Sequence, residues 1–376
     1  MHAHYFQLDS MDDEERSLNL CCCEYIDAND ERNHILGCCC NCSELDMCID
    51  KLFKCQGMAP RTFARLFSVL QDRFRIPWRG GARQLNIDSI IPIILLPALG
   101  YIAAQGVWIS VVVFTSLPIF LIYTHYIFMR ISSQTKFFYV WTLVSVILIV
   151  SVFEVPVVVT LDIQPEEHKM FLLFTILMVF CGVKTRLTAE QSHVKGDVKI
   201  DESLLECAVC HKSVLPRTFH CCICRTCIIK RDQHCAWLDC CIGESNYRWF
   251  MATLVTAVCQ LALCSNLILT TACHPFTVFA TIMLPDDCSD VYFDILYATI
   301  FVTALYAILA LLFLIVLLLH ECWLISLGMT GHEWRNVSDR VCCGVRSNRP
   351  YSKGFLRNWT DFFLGSRSKQ MSTMII

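Results

Sequence analysis

The stretch Cys207–Phe250, CAVCHKSVLPRTFHCCICRTCIIKRDQHCAWLDCCIGESNYRWF, holds nine cysteines and ends where charge gives way to an apolar run. Cys207 and Cys210 are followed by His220, Cys221, Cys224 and Cys227, and then by His234, Cys235 and Cys241. Thiols and imidazoles spaced in this way are the donor set of tetrahedral zinc, in sites of three thiolates and one imidazole. Two such sites use all of these residues except one cysteine. Spacing alone does not fix the pairing. Neighbours such as His220 and Cys221 can hardly serve one metal, so the two sites must interleave.

Outward from this stretch the chain is membrane-like. It has 376 residues, 55% of them hydrophobic, in long uncharged runs, and a span needs about 20 apolar residues. Residues 90 to 129 carry no charge and fit two spans with a tight turn near Gln105 and Gly106. A third span is expected over Phe137–Leu161, interrupted by Glu154 and Pro156 near its far end. A fourth, over Met170–Val183, is short, with Lys169 and Lys184 snorkelling at its ends. A fifth runs from Trp249 to about Thr271 and a sixth over Ile295–Leu319. The expected fold is an all-α polytopic membrane protein of six transmembrane helices with a cytosolic cysteine-rich double-zinc domain.

The soluble segments differ in charge. Residues 1 to 60 hold 12 acidic and 4 basic residues, so the formal net charge of −3 hides an acidic head on a basic remainder. The head also carries nine cysteines, Cys21, Cys22, Cys23, Cys38, Cys39, Cys40, Cys42, Cys48 and Cys55, read as a further metal site, as a set of exposed thiols, or as cysteines that become acylated themselves. The opening MHAHYFQLDSMDDEE lacks a signal-peptide pattern, so most of the cysteines are expected to be reduced thiols on the cytosolic side. In RTFARLFSVLQDRFR, residues 61 to 75, Phe63, Leu66, Phe67, Leu70 and Phe74 recur at helical spacing with arginines largely off the stripe. This pattern predicts a basic amphipathic helix, lying on the anionic membrane surface or packed on the protein's own soluble part.

Charge placement orients the chain. The loop from Cys273 to Asp290 has no Lys or Arg, whereas residues 130–136, 184–248 and 321–376 carry many, which puts both termini and the zinc domain in the cytosol. Cys273 and Cys288 then face the lumen, where a disulfide can form. The expected organisation is an acidic cysteine-rich segment (1–60), a basic juxtamembrane segment (61–87), four transmembrane helices (88–184) and a linker (185–203). The zinc domain (204–248), two further helices (249–320) around the luminal loop (273–290) and a cytosolic C-terminal segment (321–376) follow.

The cysteine-rich stretch resembles the DHHC palmitoyltransferase family, whose pattern CxxC, HCxxCxxC, DHHC, C and GxSNxxxF it meets at almost every position. The resemblance implies one zinc on Cys207, Cys210, His220 and Cys227, and a second on Cys221, Cys224, His234 and Cys241. It puts the acylated nucleophile at Cys235. Asp232 and Gln233 fall at the catalytic aspartate and at the base, which is a histidine in the family; the glutamine here takes no proton near neutral pH. Trp237 corresponds to a position lining the acyl cavity, and Lys230 and Arg231 are candidate cations for the acyl donor. Thr330-Gly-His-Glu333 is similar to the family's TTxE motif, with Gly331 in place of a threonine whose hydroxyl supports the aspartate. Asn358 and Trp359 match the family's C-terminal asparagine-tryptophan pair, and no DPG motif precedes the cysteine-rich domain. CCCEYID, FRIPWRGGA and GFLRNW are similar to words of the vertebrate subfamily numbered twenty-three.

The implied function is a protein S-palmitoyltransferase. It takes a long-chain acyl group from palmitoyl-CoA through a Cys235 thioester to cytosolic cysteines of membrane-associated proteins, with two structural zinc ions. The alternative is a catalytically impaired member that binds acyl-CoA or clients as an adaptor. A receptor or transporter is disfavoured because the spans carry no paired charges beyond Glu154. The expected partners are acyl-CoA, client proteins and the bilayer, without nucleic acid. The expected location is the Golgi or endoplasmic reticulum, with the plasma membrane as a further option.

Overall fold

The computed structural model describes residues 23–26, 32–34, 50, 53–54, 74–79, 81–84, 86–131, 135–160, 163–194, 205–278, 282–336 and 351–364. Six apolar helices dominate, as they must where backbone polar groups have only each other to bond with. They are α1 (Ile87–Ala103), α2 (Val107–Ile131), α3 (Phe137–Val152), α4 (Pro165–Ala189), α5 (Tyr247–Ala272) and α6 (Ile295–Leu327). Among the described residues five helical stretches, Val107–Phe128, Phe137–Thr160, Pro165–Ser192, Tyr247–Ala272 and Ile295–Leu327, are long and apolar enough to cross a membrane. α1, with 17 residues, is shorter than the roughly 20 that crossing takes. The six apolar segments expected from the sequence are thus present as helices, one of them short. The turn between α1 and α2 falls at residues 104–106.

Two helices are longer than the sequence reading. α4 starts five residues before Met170 because Pro165 opens it and Glu166 and Glu167 lie in its first turn, where proline costs no hydrogen bond and acids oppose the helix dipole. It also runs past Val183 to Ala189, so the expected linker begins as helix. Residues 195–203 of that linker lie outside the described residues. α6 continues to Leu327, eight residues beyond Leu319. Asp294 caps its start by accepting from the Leu296 N–H (2.8 Å), and Gly328, at φ 70°, ends it. The Gly328 N–H donates to Ile325 O and Met329 N–H to Leu324 O, a left-handed C-terminal closure that favours glycine. As expected, Glu154 and Pro156 interrupt α3: residues Phe153–Val157 form a π turn before a last turn at Val158–Thr160.

The chain divides into two compact units, residues 1–94 with 126–133, and residues 95–125 with 134–376. In the first, strands β1 (Glu24–Ile26) and β2 (Arg32–His34) pair, as do β3 (Arg75–Ile76) and β4 (Arg83–Gln84). The Arg75 guanidinium lies over the Tyr25 ring at 4.1 Å. Arg75, expected at the end of an amphipathic helix, is therefore in a strand, and residues 61–73 and the head cysteines other than Cys23 lie outside the described residues.

The second unit has a core where α3, the π turn, α5 and α6 meet, built on Ile149, Phe153, Val157, Cys264, Ile268, Ile300, Ala304 and Ala307. The alanines let α6 approach closely. Three short hairpins precede α5: β5 (Leu205–Glu206) with β6 (Ser213–Val214), β7 (Phe219–Cys221) with β8 (Thr226–Ile228), and β9 (Gln233–Cys235) with β10 (Cys240–Ile242). After α5, β11 (His274–Val278) and β12 (Ile282–Asp287) pair, and a disulfide joins Cys273 to Cys288. α7 (Gly331–Asn336) and α8 (Phe355–Leu364) follow α6.

Candidate active site and metal centres

Strand alternation sorts the donors. Successive residues on a strand face opposite sides, so His220 and Cys221 on β7 go to different clusters. The donor atoms of Cys207, Cys210, His220 and Cys227 all lie within 4.8 Å of one another, as do those of Cys221, Cys224, His234 and Cys241. In the first cluster Cys210 Sγ is 3.4 Å from Cys227 Sγ, which is 3.6 Å from His220 Nδ1. In the second, His234 Nδ1 is 3.4 Å from Cys224 Sγ, 3.6 Å from Cys241 Sγ and 4.0 Å from Cys221 Sγ. Zinc bonded to sulfur at about 2.3 Å spaces tetrahedral sulfurs about 3.8 Å apart, so both donor sets suit a tetrahedral ion. His211, Arg217, Arg225, Lys230 and Asp239 all have positive φ. These are left-handed turns by non-glycine residues that the surrounding structure must hold in place.

The same alternation separates Cys235 from the metal side. In the β9–β10 ladder His234 pairs with Cys241 and Cys235 with Cys240. Cys235 and Cys240 face an apolar cluster with Ala189, Ile242, Phe250, Leu254 and Ile325, at the junction of the hairpins with α4, α5 and α6. Cys235 is 8% exposed. Burial pushes its thiol up to about 11, the carboxylates of Glu321 and Asp232 push the same way, and the Leu238 and Trp237 backbone amides oppose them.

The residues after β10 lock this hairpin onto α4. The buried Asn246 accepts from the Gly243 N–H (2.9 Å) and donates to Cys241 O (2.9 Å) and Thr185 O (3.0 Å). Ser245 Oγ donates to Thr188 O (2.7 Å). A Cβ on Gly243 would sit 2.8 Å from Ile228 Cγ2 and 3.0 Å from Ile229 O, so only glycine fits.

Asp232 is 2% exposed. Its Oδ1 accepts from the Gly331 N–H (2.5 Å) and its carbonyl from Arg335 Nη2 (2.8 Å). The threonine hydroxyl missing at Gly331 is replaced by a backbone donor, and burial raises the Asp232 carboxyl against the Gly331 amide and the Arg335 charge. Gln233 Nε2 donates to Glu321 Oε1 (3.2 Å) on α6. The Trp237 ring packs edge-on against Phe138 (centroids 4.9 Å apart) and lies tilted 5.9 Å from Phe313, wedged between α3 and α6. Lys230 and Arg231, read from the sequence as candidate cations for the acyl donor, have partners within the protein. Lys230 pairs with Glu244, and Arg231 Nη1 donates to His220 O (3.0 Å).

Thr330 and Glu333 form a capping box at α7. The Glu333 N–H donates to Thr330 Oγ1 (3.3 Å) and the Thr330 N–H to Glu333 Oε2 (2.9 Å). Arg217, between β6 and β7, grips both Glu333 oxygens through Nε (2.6 Å) and Nη2 (2.7 Å). Asn358 Nδ2 donates to Ser326 O (3.0 Å), and Trp359 Nε1 to Ser326 Oγ (3.1 Å), tying α8 to the end of α6. Sequence reasoning missed Glu321, Tyr247, Arg217 and Arg335. For Glu321 a signal existed: it is the single acidic residue in the 33 of α6, and acids inside apolar spans mark function by default.

A polytopic helical membrane protein carrying paired Cys/His donor clusters, with a buried thiol where they meet the helices, is the class that fold and site define. A profile described as DHHC palmitoyltransferase matches residues 200–338. The chain is 29% identical to palmitoyltransferase ZDHHC23 of Rattus norvegicus over 407 residues, covering 93% of this chain and 94% of that relative. It is 29% identical over 398 residues to ZDHHC23 of Mus musculus (91% and 92% covered) and 28% over 406 residues to ZDHHC23-B of Danio rerio (93% and 94%). Residues 200–338 thus match the DHHC palmitoyltransferase family, and most of the chain is similar to ZDHHC23 palmitoyltransferases.

Proposed function

We infer that the chain is a protein-cysteine S-palmitoyltransferase, with Cys235 as the thiol that carries the acyl group. The observation that carries the assignment to Cys235 is its placement: of the three hairpin cysteines outside the donor quartets Cys222 is exposed, Cys235 and Cys240 face the apolar junction with α4, α5 and α6, and Cys235 alone lies on the strand that Asp232 and Gln233 anchor. In the first step Cys235 Sγ attacks the carbonyl carbon of a palmitoyl-CoA thioester and CoA leaves as a thiol. In the second a client thiol attacks the Cys235 thioester, releasing the acylated client and the free Cys235 thiol. Trp237, with Leu314, Leu317 and Leu318 packed on the same cluster, offers the acyl chain an apolar wall. Asp232 fixes the strand that presents the nucleophile.

Each donor quartet suits one Zn²⁺, which would supply a fixed tetrahedral tie between the hairpins. Thr330, Glu333, Asn358 and Trp359 act as braces, and Lys230 and Arg231, which also meet Glu244 and His220 O, are the candidate cations for the CoA phosphates. The clients are membrane-associated proteins with cytosolic cysteines. Both termini and the hairpins face the cytosol, which is supported by the Lys- and Arg-free loop 273–290 and its disulfide. The compartment is an endomembrane, Golgi or endoplasmic reticulum, with the plasma membrane as the other candidate.

Gln233 favours a second reading, a family member that binds acyl-CoA or clients without turnover. Purified protein exposed to an alkyne palmitoyl-CoA analogue separates the two. The enzyme reading expects a hydroxylamine-labile adduct at Cys235 that C235S lacks. The adaptor reading replaces it if wild type and Q233H both stay unlabelled.

A further inference from the structure

Gln233 stands where the family places its base, yet an amide takes up no proton near neutral pH. What it touches is a carboxylate. Gln233 Nε2 holds Glu321 Oε1 at 3.2 Å, and the Tyr247 hydroxyl donates to Oε2 at 2.9 Å. Glu321 is 1% exposed, near the end of an apolar helix, and burying an acid there is costly. Among the described residues its ion-pair neighbour is the half-exposed His320, at 3.7 Å. The charges of Asp232 and Arg335 also act on it, Tyr247 acts through its hydrogen bond, and the Cys235 and Cys322 thiols feel the Glu321 charge in turn. Both oxygens of the acid are used, Oε1 by the Gln233 amide and Oε2 by the Tyr247 hydroxyl, so the carboxylate is held in one orientation.

The carboxylate is on the side of the thiol. Gln233 and Cys235 are two residues apart on β9, so both side chains leave the same face of the strand, away from His234. Cys322, next to Glu321 on α6, packs against the cluster that contains Cys235. A general base reaches its proton directly or through one water.

We propose that Glu321 is the proton acceptor for Cys235, supplying from α6 the basicity that Gln233 lacks on β9. The proposal rests on the acyltransferase reading above. The Sγ–H bond of Cys235 breaks and the proton passes to the Glu321 carboxylate. The sulfur bonds to the acyl carbonyl carbon, and the bond from that carbon to the CoA sulfur breaks. The CoA thiolate takes the proton back, which regenerates the carboxylate without any oxidant or reductant. Gln233 is a positioning residue in this scheme, orienting Glu321 through its amide.

The test measures single-turnover acylation of the full chain in detergent micelles, per zinc-loaded molecule, for wild type, E321Q, E321D and the double variant Q233H/E321Q. A positioned base contributes on the order of 100-fold to 10,000-fold. E321Q, which keeps the shape and loses the basicity, should fall by about 100-fold or more in maximal rate with little change in the palmitoyl-CoA concentration at half-maximum. E321D should fall less than E321Q. The double variant should regain most of the loss, because the imidazole at 233 removes the need for the carboxylate. A purely structural role for Glu321 gives no such rescue. E321Q within about threefold of wild type, or an unrescued Q233H/E321Q at normal zinc content, overturns the proposal and leaves the acyltransferase reading standing. Wild type without label at Cys235 overturns the proposal, and wild type and Q233H both without label remove the acyltransferase reading as well.

Discussion

Replacing Glu333 should loosen both ends of the site at once, and two substitutions separate its roles. Glu333 completes the capping box of α7 and receives both arms of Arg217; the side chains of Arg217 and Glu333 are 17% and 12% exposed. E333Q keeps an oxygen for the Thr330 N–H but removes the charge that Arg217 pairs with, while E333A removes both. Stranding one partner of a buried pair costs about 3–5 kcal/mol, and this slightly accessible pair belongs near the lower end. Loss of a cap adds about 1 kcal/mol. With each kcal/mol worth about 2–4 °C in a domain of 150–250 residues, the expected falls in Tm are about 6–12 °C for E333Q and about 8–16 °C for E333A. Thermal unfolding in detergent followed by tryptophan fluorescence reads both. R217A should lose at least as much as E333Q, because Arg217 also donates to Gly328 O (3.3 Å) and lies over the Tyr351 ring (4.5 Å), and R217A/E333Q should lose less than the sum of the two, because neither charge is then left alone. Autoacylation should fall with stability, since the Gly331 N–H that holds Asp232 sits in the same turn. The reasoning fails if E333Q and R217A both lie within about 2 °C of wild type, or if the double variant is additive.

Gly328→Ala should destabilise by about 1–3 kcal/mol, because a residue with φ 70° would also bring a Cβ to 3.0 Å from Asn358 Nδ2 and Ser352 Cα; the Tm checks it. Elemental analysis should find two zinc ions per chain, and C207S or C241S should lower both zinc content and folded yield; normal folding without zinc would defeat the assignment of the quartets. Burial and the charges of Arg231 and Arg335 hold His332 down at about 4, from an ordinary value near 6.5. Below about pH 6.5 the unfolded chain therefore takes a proton that the folded chain refuses, so stability should drop from there toward pH 4. H332Q should flatten that stretch of a Tm-against-pH curve, and an unchanged slope would exclude His332 as its source. Q233H alone should change the autoacylation rate less than tenfold while Glu321 is present, as quench-flow labelling can show.

The helices were legible because charge-free runs long enough to cross leave few alternatives. Their ends were less so. The sequence reading stopped the sixth span at Leu319 because His320 and Glu321 broke the run, whereas the helix continues through them and buries the acid against Gln233 and Tyr247. The polarity of Thr185 and Thr188 disguised the last turns of α4, where their carbonyls serve Asn246 and Ser245. The membership of the two quartets came from family resemblance, and local spacing could not have supplied it, since cross-strand register decides which donors meet. Thr330-x-x-Glu333 carried a helix-start signature in its own right. Its second partner, Arg217, lies 116 residues away, and no local pattern announces such a contact. Lys230 illustrates the converse: proximity in sequence to the thiol did not mean proximity in charge, because Glu244 claims it.

The alternation along β9 has a consequence for how this site can vary. His234 and Cys235 are consecutive, so the residue that suits a metal and the residue proposed to carry the acyl group occupy opposite sides of one strand by parity alone. Sliding the strand by one position would exchange their surroundings, offering the thiol to the metal and the imidazole to the acyl chain. The two functions are therefore locked in phase, and change is confined to what keeps that phase. Gln233 is such a change. It shares the outward parity of Cys235, so its chemistry can be rewritten against a helix residue far along the chain without disturbing a single metal donor. A site organised in this way can lose its inherited base and recruit another, while its scaffold stays as it was.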